Sequence, residues 1–175
     1  FNTLKSTTII KLLNLILFIF LTTVTLSTTS CDKKEGCTDI QADNYDSEAK
    51  ENTGCQYRYV TTIDISNVPT ANPAGTEWDI DGSGPELKLN FGKNTSSGYD
   101  YTTNSVSDVF ATSLTPISNI QFTNETWKYQ LVDEDLLSSD EVIASGTFNP
   151  ISQGSNSIIT ISNGSISLTF HYKLQ

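Results

Sequence analysis

The chain has 175 residues, with 20 Asp+Glu against 10 Lys+Arg and a single His, for a formal net charge of −10. So acidic a chain repels phosphate backbones, which argues against a nucleic-acid partner, and its length suits one modest domain with appendages. One His leaves transition-metal and most acid–base chemistry short of its commonest group.

Residues 1–30 carry no Asp or Glu. Lys5 and Lys11 precede an apolar stretch from Leu12 to Leu26, which is followed by Ser27-Thr28-Thr29-Ser30 and then Cys31. A basic start, a short apolar core and small residues before a cut describe a secretory signal peptide. The core is shorter than the ~20 apolar residues of a spanning helix. Because the chain opens with Phe1 rather than Met, a few upstream residues are expected to be missing.

Small residues ending in Cys31 resemble the lipobox of bacterial lipoproteins, although Thr28 stands where that family usually carries Leu or Val. The resemblance implies that Cys31 is diacylated and becomes the mature N-terminus. It also implies a membrane-anchored protein of the cell envelope, at the outer membrane of a Gram-negative bacterium. A plain secreted protein or an uncleaved anchor helix is the alternative. With Cys31 lipidated, Cys37 and Cys55 remain to pair in an oxidising compartment. Closing that loop would stabilise the fold by ~3 kcal/mol, mostly through the unfolded state.

A module bounded by those cysteines spans residues 37–55, after a linker at 31–36. Its Gly36-Cys37-Thr38-Asp39, Ala42-Asp43-Asn44-Tyr45 and Gly54-Cys55-Gln56-Tyr57 resemble a short module of Gram-negative surface proteins, with Ile40 and Ser47 in place of the usual prolines. It holds too little apolar matter for a core of its own. The expected role is a disulfide-stapled spacer; calcium binding by Asp39, Asp43 and Asp46 is the competing reading.

From residue 57 onward the hydrophobic period is two, as half-buried strands require. Tyr59, Thr61, Ile63 and Ile65 share one parity; Leu87, Leu89 and Phe91 alternate with Lys88 and Asn90; Trp127, Tyr129 and Leu131 alternate with Lys128 and Gln130. Ile159 and Ile161 lead into Asn163-Gly164, the sequence of a type I′ hairpin turn, and Ile166, Leu168, Phe170 and Tyr172 lead out. Weaker strands are expected at 106–111, 117–122 and 142–148, and no helical period appears after residue 31. The expected fold of 57–175 is all-β, an antiparallel β-sandwich of about seven or eight strands.

Two loops concentrate carboxylates: Trp78-Asp79-Ile80-Asp81-Gly82-Ser83-Gly84-Pro85-Glu86, and Asp133-Glu134-Asp135-Leu136-Leu137-Ser138-Ser139-Asp140-Glu141. Calcium takes six to eight oxygens, and Asp spaced by two residues can aim several at one point. The bland alternative is a pair of solvated acidic turns. The order of strand, Trp-Asp-x-Asp-Gly-x-Gly-Pro-acid, and a later Asp-x-Asp hairpin loop resembles the calcium-binding C2 domain, in its divergent form from exported bacterial lipoproteins. The resemblance implies that both loops lie at one end of the sandwich and share calcium. It places Asp79 or Asp81 and Glu86 in the first loop's ligand set, and Asp133, Asp135 and Asp140 in the second's. Gly84 stands where eukaryotic C2 domains carry Asp.

His171 is expected to be a solvated strand residue, Trp127 core, and Trp78 either core or beside the loops. Serines such as Ser138-Ser139 have neither a Gly-x-Ser-x-Gly context nor a His partner, so no enzyme is expected. Two functions remain. One is an acyl-anchored binding module that uses calcium to engage an anionic head group, a glycan or a protein. The other is a non-catalytic structural spacer or accessory subunit with solvated acidic loops. The loops lack Lys and Arg, so membrane attachment belongs to the acyl chains rather than to them.

Overall fold

The computed structural model describes residues 33–79, 81–135, 139–154 and 157–175. Cys31 and the expected signal peptide lie outside them. Lys34–Gln175 is one compact unit. Among the described residues no helix is long and apolar enough to cross a membrane.

The unit opens with two short parallel strands, β1 (Glu35–Gly36) and β2 (Glu51–Asn52), inside the Cys-bounded module. Nine antiparallel strands follow: β3 (Arg58–Ser66), β4 (Leu87–Lys93), β5 (Tyr101–Thr102), β6 (Thr112–Leu114), β7 (Gln121–Phe122), β8 (Trp127–Asp133), β9 (Glu141–Phe148), β10 (Ile158–Asn163) and β11 (Ile166–Leu174). One sheet runs β10-β11-β3-β6, with β7 also on β3; the other runs β5-β4-β8-β9. β6 and β7 share one edge of β3, at Ile63–Ile65 and at Arg58–Tyr59. The sandwich therefore has four strand positions in each sheet, as the alternating periods require.

The expected parities hold in most strands. Leu87, Leu89 and Phe91 of β4 and Trp127, Tyr129 and Leu131 of β8 are buried, and so are Ile166, Leu168, Phe170 and Tyr172 of β11. Phe122 packs edge-on against Trp127, Phe148 and Phe170, with ring centroids 4.9, 5.6 and 5.6 Å away, and so joins the two sheets.

Three local features depart from the sequence reading. In β3, the register against β11 shifts between Thr62↔His171 and Val60↔Tyr172, leaving Thr61 as an extra, bulged residue. Inward-facing positions before it are therefore Arg58 and Val60, not Tyr59 and Thr61. In the β10–β11 hairpin, Asn163 pairs with Ile166, so the central turn residues are Gly164 and Ser165. Gly164 has φ +61° and Ser165 is not in the left-handed region, which is the type II′ requirement of glycine at the first central position. Finally, 106–111 contributes only an isolated bridge from Val106 to Leu87, the strand expected at 117–122 shortens to β7 at Gln121–Phe122, and β6 forms at Thr112–Leu114 between the two expected strands.

The disulfide Cys37–Cys55 is formed, with Cα atoms 4.8 Å apart. The module it closes is fastened to the sandwich rather than strung before it. Asp43 pairs with Arg58, which also donates to the Pro150 carbonyl and stacks 4.6 Å over the Tyr172 ring. Pro150 belongs to a single helical turn, Pro150–Gln153, capped by the Asn149 side chain. A Cβ at Gly154 would collide with Arg58 Nη1 and the Pro150 carbonyl, so the close approach of this turn needs glycine there.

Candidate metal centre

Three loops meet at the pole of the sandwich where β3 ends and β4 begins. Loop 67–86 joins β3 to β4, 103–111 lies between β5 and β6, and 134–140 joins β8 to β9. Backbone bonds tie the first two together: the Val109 N–H donates to the Pro85 carbonyl at 3.2 Å, and Leu87 and Val106 exchange a pair at 2.9 and 3.0 Å. A Cβ on Gly84 would come within 3.1 Å of Asp108, Val109 and the Phe110 ring, so glycine lets the loops close. Trp78 is buried beside them, its indole N–H donating to the Pro69 carbonyl at 2.8 Å.

Asp133 is the centre of this pole. It continues the inward parity of Trp127, Tyr129 and Leu131, so the last core-facing position of β8 holds a carboxylate. Only 1% of its surface is exposed. The Glu86 N–H donates to Asp133 Oδ1 at 2.7 Å, and the Glu134 N–H returns to the Glu86 carbonyl at 2.9 Å. Asp133 Oδ2 is buried with no hydrogen-bond partner among the described residues. Burial pushes the Asp133 carboxyl up to about 6 against the opposing Glu86 bond, and the charges of Asp79, Asp135 and Glu141 raise it further. A carboxylate in that position is short of a positive partner.

The remaining expected ligands are placed differently. Asp79 and Asp81 share the Ser83 hydroxyl, with Ser83 Oγ 3.2 Å from Asp79 Oδ2 and 2.6 Å from Asp81 Oδ1. That hydroxyl and the Ser83 N–H hold the Asp81 carboxyl below its usual range. Glu86 reaches Asp133 through its backbone, while its carboxylate accepts the Ser107 hydroxyl at 2.8 Å. Asp140 is exposed on the hairpin loop. Glu134 pairs with Lys88 and is directed to the face of the sheet. Ile80 and residues 136–138 lie outside the described residues.

Glu141 is absent from the ligand set implied by the resemblance, yet it is the residue directly opposite Asp133 in the β8–β9 register. The signal for it was the hairpin itself: a loop opening on Asp133 and closing on Glu141 sets the two facing each other. Among the described residues no three acids converge into a ready metal site. The donor set is nevertheless all oxygen, as a hard cation such as calcium requires, and the orphaned Asp133 Oδ2 is the group such a cation would satisfy. The residues therefore fit calcium in chemistry and in charge, with the side chains still apart.

The three acids of the Cys-bounded module are engaged elsewhere. Asp39 accepts the Tyr57 hydroxyl at 2.7 Å, Asp43 pairs with Arg58, and Asp46 lies 2.9 Å from the Lys34 ammonium. They fasten the module at three separate places. His171 is half-exposed, with Nε2 2.7 Å from Asp64 Oδ2, and Trp127 is fully buried.

No family profile and no curated protein matches the chain. Solved structures do. The chain is similar to human GIVD cytosolic phospholipase A2, at TM-score 0.51 and 15% identity over 70% of this chain and 16% of that one. The same human enzyme in complex with a fluorophosphonate inhibitor and terbium chloride aligns at TM-score 0.50 and 12% identity, over 70% and 18% of the two chains. BON1-C2B aligns at TM-score 0.49 and 10% identity, over 69% of this chain and 92% of that one. The chain thus spans less than a fifth of the phospholipase chains it matches. Such identities speak to fold alone, and the fold of this chain is an antiparallel β-sandwich.

Proposed function

We propose that this protein is an exported, N-terminally anchored binding module of the bacterial envelope whose acidic pole takes up calcium. The observation that carries the metal is Asp133 Oδ2, a buried carboxylate oxygen without a hydrogen-bond partner among the described residues and with three acidic neighbours. Asp133, Asp135, Asp79 and Glu141 are the residues to hold the ion, with Asp81, Glu86 and Asp140 at the rim. The Glu86 N–H would keep Asp133 oriented while Oδ2 turns to the metal. Bound calcium would neutralise the pole and leave open positions for oxygens of an anionic ligand. Terbium chloride was present with one fold neighbour, and terbium is likewise a hard, oxygen-seeking cation.

Anchoring rests on the acid-free apolar segment that ends in small residues and Cys31. We assign the protein no catalytic role, since the sequence carries no Gly-x-Ser-x-Gly and, among the described residues, His171 pairs with Asp64 rather than with a serine. The competing reading is a structural spacer with bare acidic turns, favoured by the separation of the acids among the described residues. Calorimetric titration of the folded protein with calcium separates the two. Heat of binding that vanishes in Asp133→Asn supports the site, and no saturable heat in either protein supports the spacer.

A further inference from the structure

The net charge of the chain is gathered in one place. Segments 67–86, 103–111 and 133–141, which meet at the acidic pole, hold ten of the 20 Asp and Glu and no Lys, Arg or His. The other ten acids are matched in number by the ten Lys and Arg of the chain, so the formal charge of −10 is the charge of this pole. Elsewhere acids come with cations: Asp43 pairs with Arg58, Asp46 and Glu48 with Lys34, and Glu125 with Lys93. At the pole Glu134 reaches sideways to Lys88, whereas Glu77, Asp108, Asp140 and Glu141 are exposed.

The surface is also held in one piece. The Asn72 side chain accepts the Ala74 and Thr76 N–H groups at 3.0 and 3.1 Å and extends Nδ2 to Glu141 Oε2 at 3.4 Å, which joins the first loop to the third. In the middle loop Phe110 is 37% exposed, with its ring edge beside Gly84. Asp133 is the second, independent observation. It is 1% exposed, and its Oδ2 has no hydrogen-bond partner among the described residues, so a cationic group is what the centre of the surface lacks.

We propose that the acidic pole docks a Lys- and Arg-rich segment of a partner protein. The proposal deepens the binding-module reading above by naming the partner, and it holds with or without the ion. One calcium ion offsets two of the ten formal charges and Lys88 a third, so the pole stays negative when the site is filled. An oxygen that completes the ion then has to come from a ligand whose surroundings are basic, and an anionic bilayer is repelled. Guanidinium groups suit this surface best, since their planar donors pair with carboxylates two at a time. Phe110 offers the apolar contact that a protein segment, unlike a simple counter-ion, can use. Loops already tied together give up little freedom on binding.

The test uses the full chain in a neutral detergent and a fluorescent Arg- and Lys-rich peptide, read by anisotropy, with a Glu-rich peptide of equal length as control. In chelator and ~0.1 M salt, the basic peptide should bind saturably and the acidic one should not. Glu77→Gln/Asp108→Asn/Asp140→Asn takes one exposed acid from each segment and should weaken binding about tenfold. Glu35→Gln/Glu48→Gln/Glu51→Gln removes the same charge from exposed positions of the module and should change it less than about twofold. Circular dichroism checks that both triple variants fold. Calcium at ~2 mM should weaken the complex without abolishing it. Equal losses in the two triple variants overturn the proposal, because binding then follows net charge rather than this surface. Uptake of short-chain phosphatidylserine in calcium with no binding of the basic peptide also overturns it, while the binding-module reading stands with a different partner. Absence of binding by peptide, lipid and calcium alike removes both.

Discussion

Asp133 and Glu141 stand directly opposite each other across β8 and β9, two carboxylates in one cross-strand pair at the mouth of a hairpin. Like charges so placed destabilise a sheet, and Asp133 is buried as well. One bulge contributes to the arrangement. Leu131 pairs with Ala144 and Val132 with Val142, so Ile143 is the extra residue that resets β9 and delivers Glu141 to Asp133. Without a cation this corner of the fold is under electrostatic stress, and the first predictions concern its relief.

Asp133→Asn should stabilise the metal-free protein. The amide keeps an acceptor for the Glu86 N–H and places a donor where Oδ2 has none. Relief of the buried charge is expected to add about 1–2 kcal/mol in chelator, read as a melting temperature several degrees above the parent. A lower melting temperature for the variant in chelator would contradict the account.

The same carboxyl sets a pH dependence. Its folded pKa of about 6 lies above the ordinary aspartate value of 3.8, so the folded state binds the proton more tightly. Metal-free stability should therefore rise as pH falls from about 7 through 6 toward 4, by roughly 2–3 kcal/mol at most. Asp64, held low by Ser113 and His171, and Glu125, held low by Lys93, act in the opposite sense, losing their contribution as pH falls below about 4. Chemical denaturation in chelator across this range checks the sign. Asp133→Asn should flatten the rise between pH 7 and 5.

Much of this pole was legible before the structure. Leu87, Leu89 and Phe91 and Trp127, Tyr129 and Leu131 were found by alternation alone, and the same alternation carries Asp133 inward. What alternation misses is the added residue. Thr61 shifts β3 and brings Arg58 inside, and Ile143 shifts β9 and aligns Glu141; a bulge leaves no reliable mark in composition because backbone geometry makes it. The hairpin at Gly164 shows the same limit, since Asn163-Gly164 fits a type I′ turn until strand register moves the turn by one residue. Asp39, Asp43 and Asp46 meet Tyr57, Arg58 and Lys34, pairings made by tertiary contact that no spacing in the sequence displays.

The clasp between module and sandwich should cost more to break on one side than to replace entirely. Asp43→Ala leaves the Arg58 guanidinium buried with the Pro150 carbonyl and the Tyr172 face, and should destabilise by about 2–4 kcal/mol. Adding Arg58→Met should recover part of that loss, because an apolar side chain of similar length needs no counter-charge. Equal losses for the single and double variants in urea denaturation would contradict the clasp.

Lipidation at Cys31 predicts that the mature protein partitions with membranes. Cys31→Ser should yield soluble or unprocessed protein in fractionated cells. A Cys31→Ser variant processed and retained like the parent would remove the lipoprotein reading.

The central claim is that the acidic pole binds calcium, and melting temperature under matched salts tests it most directly. Extracellular calcium modules bind with dissociation constants of about 10⁻⁴ to 10⁻³ M. At ~2 mM calcium and ~0.1 mM affinity, mass action adds roughly 1.8 kcal/mol, a rise of very roughly 5–8 °C for a domain of this size. Magnesium should give much less, because it requires a tight octahedral shell and sheds water reluctantly, and sodium chloride at equal ionic strength reports screening alone. The account predicts a calcium-specific rise that Asp133→Asn abolishes; equal shifts with calcium, magnesium and sodium chloride would contradict it.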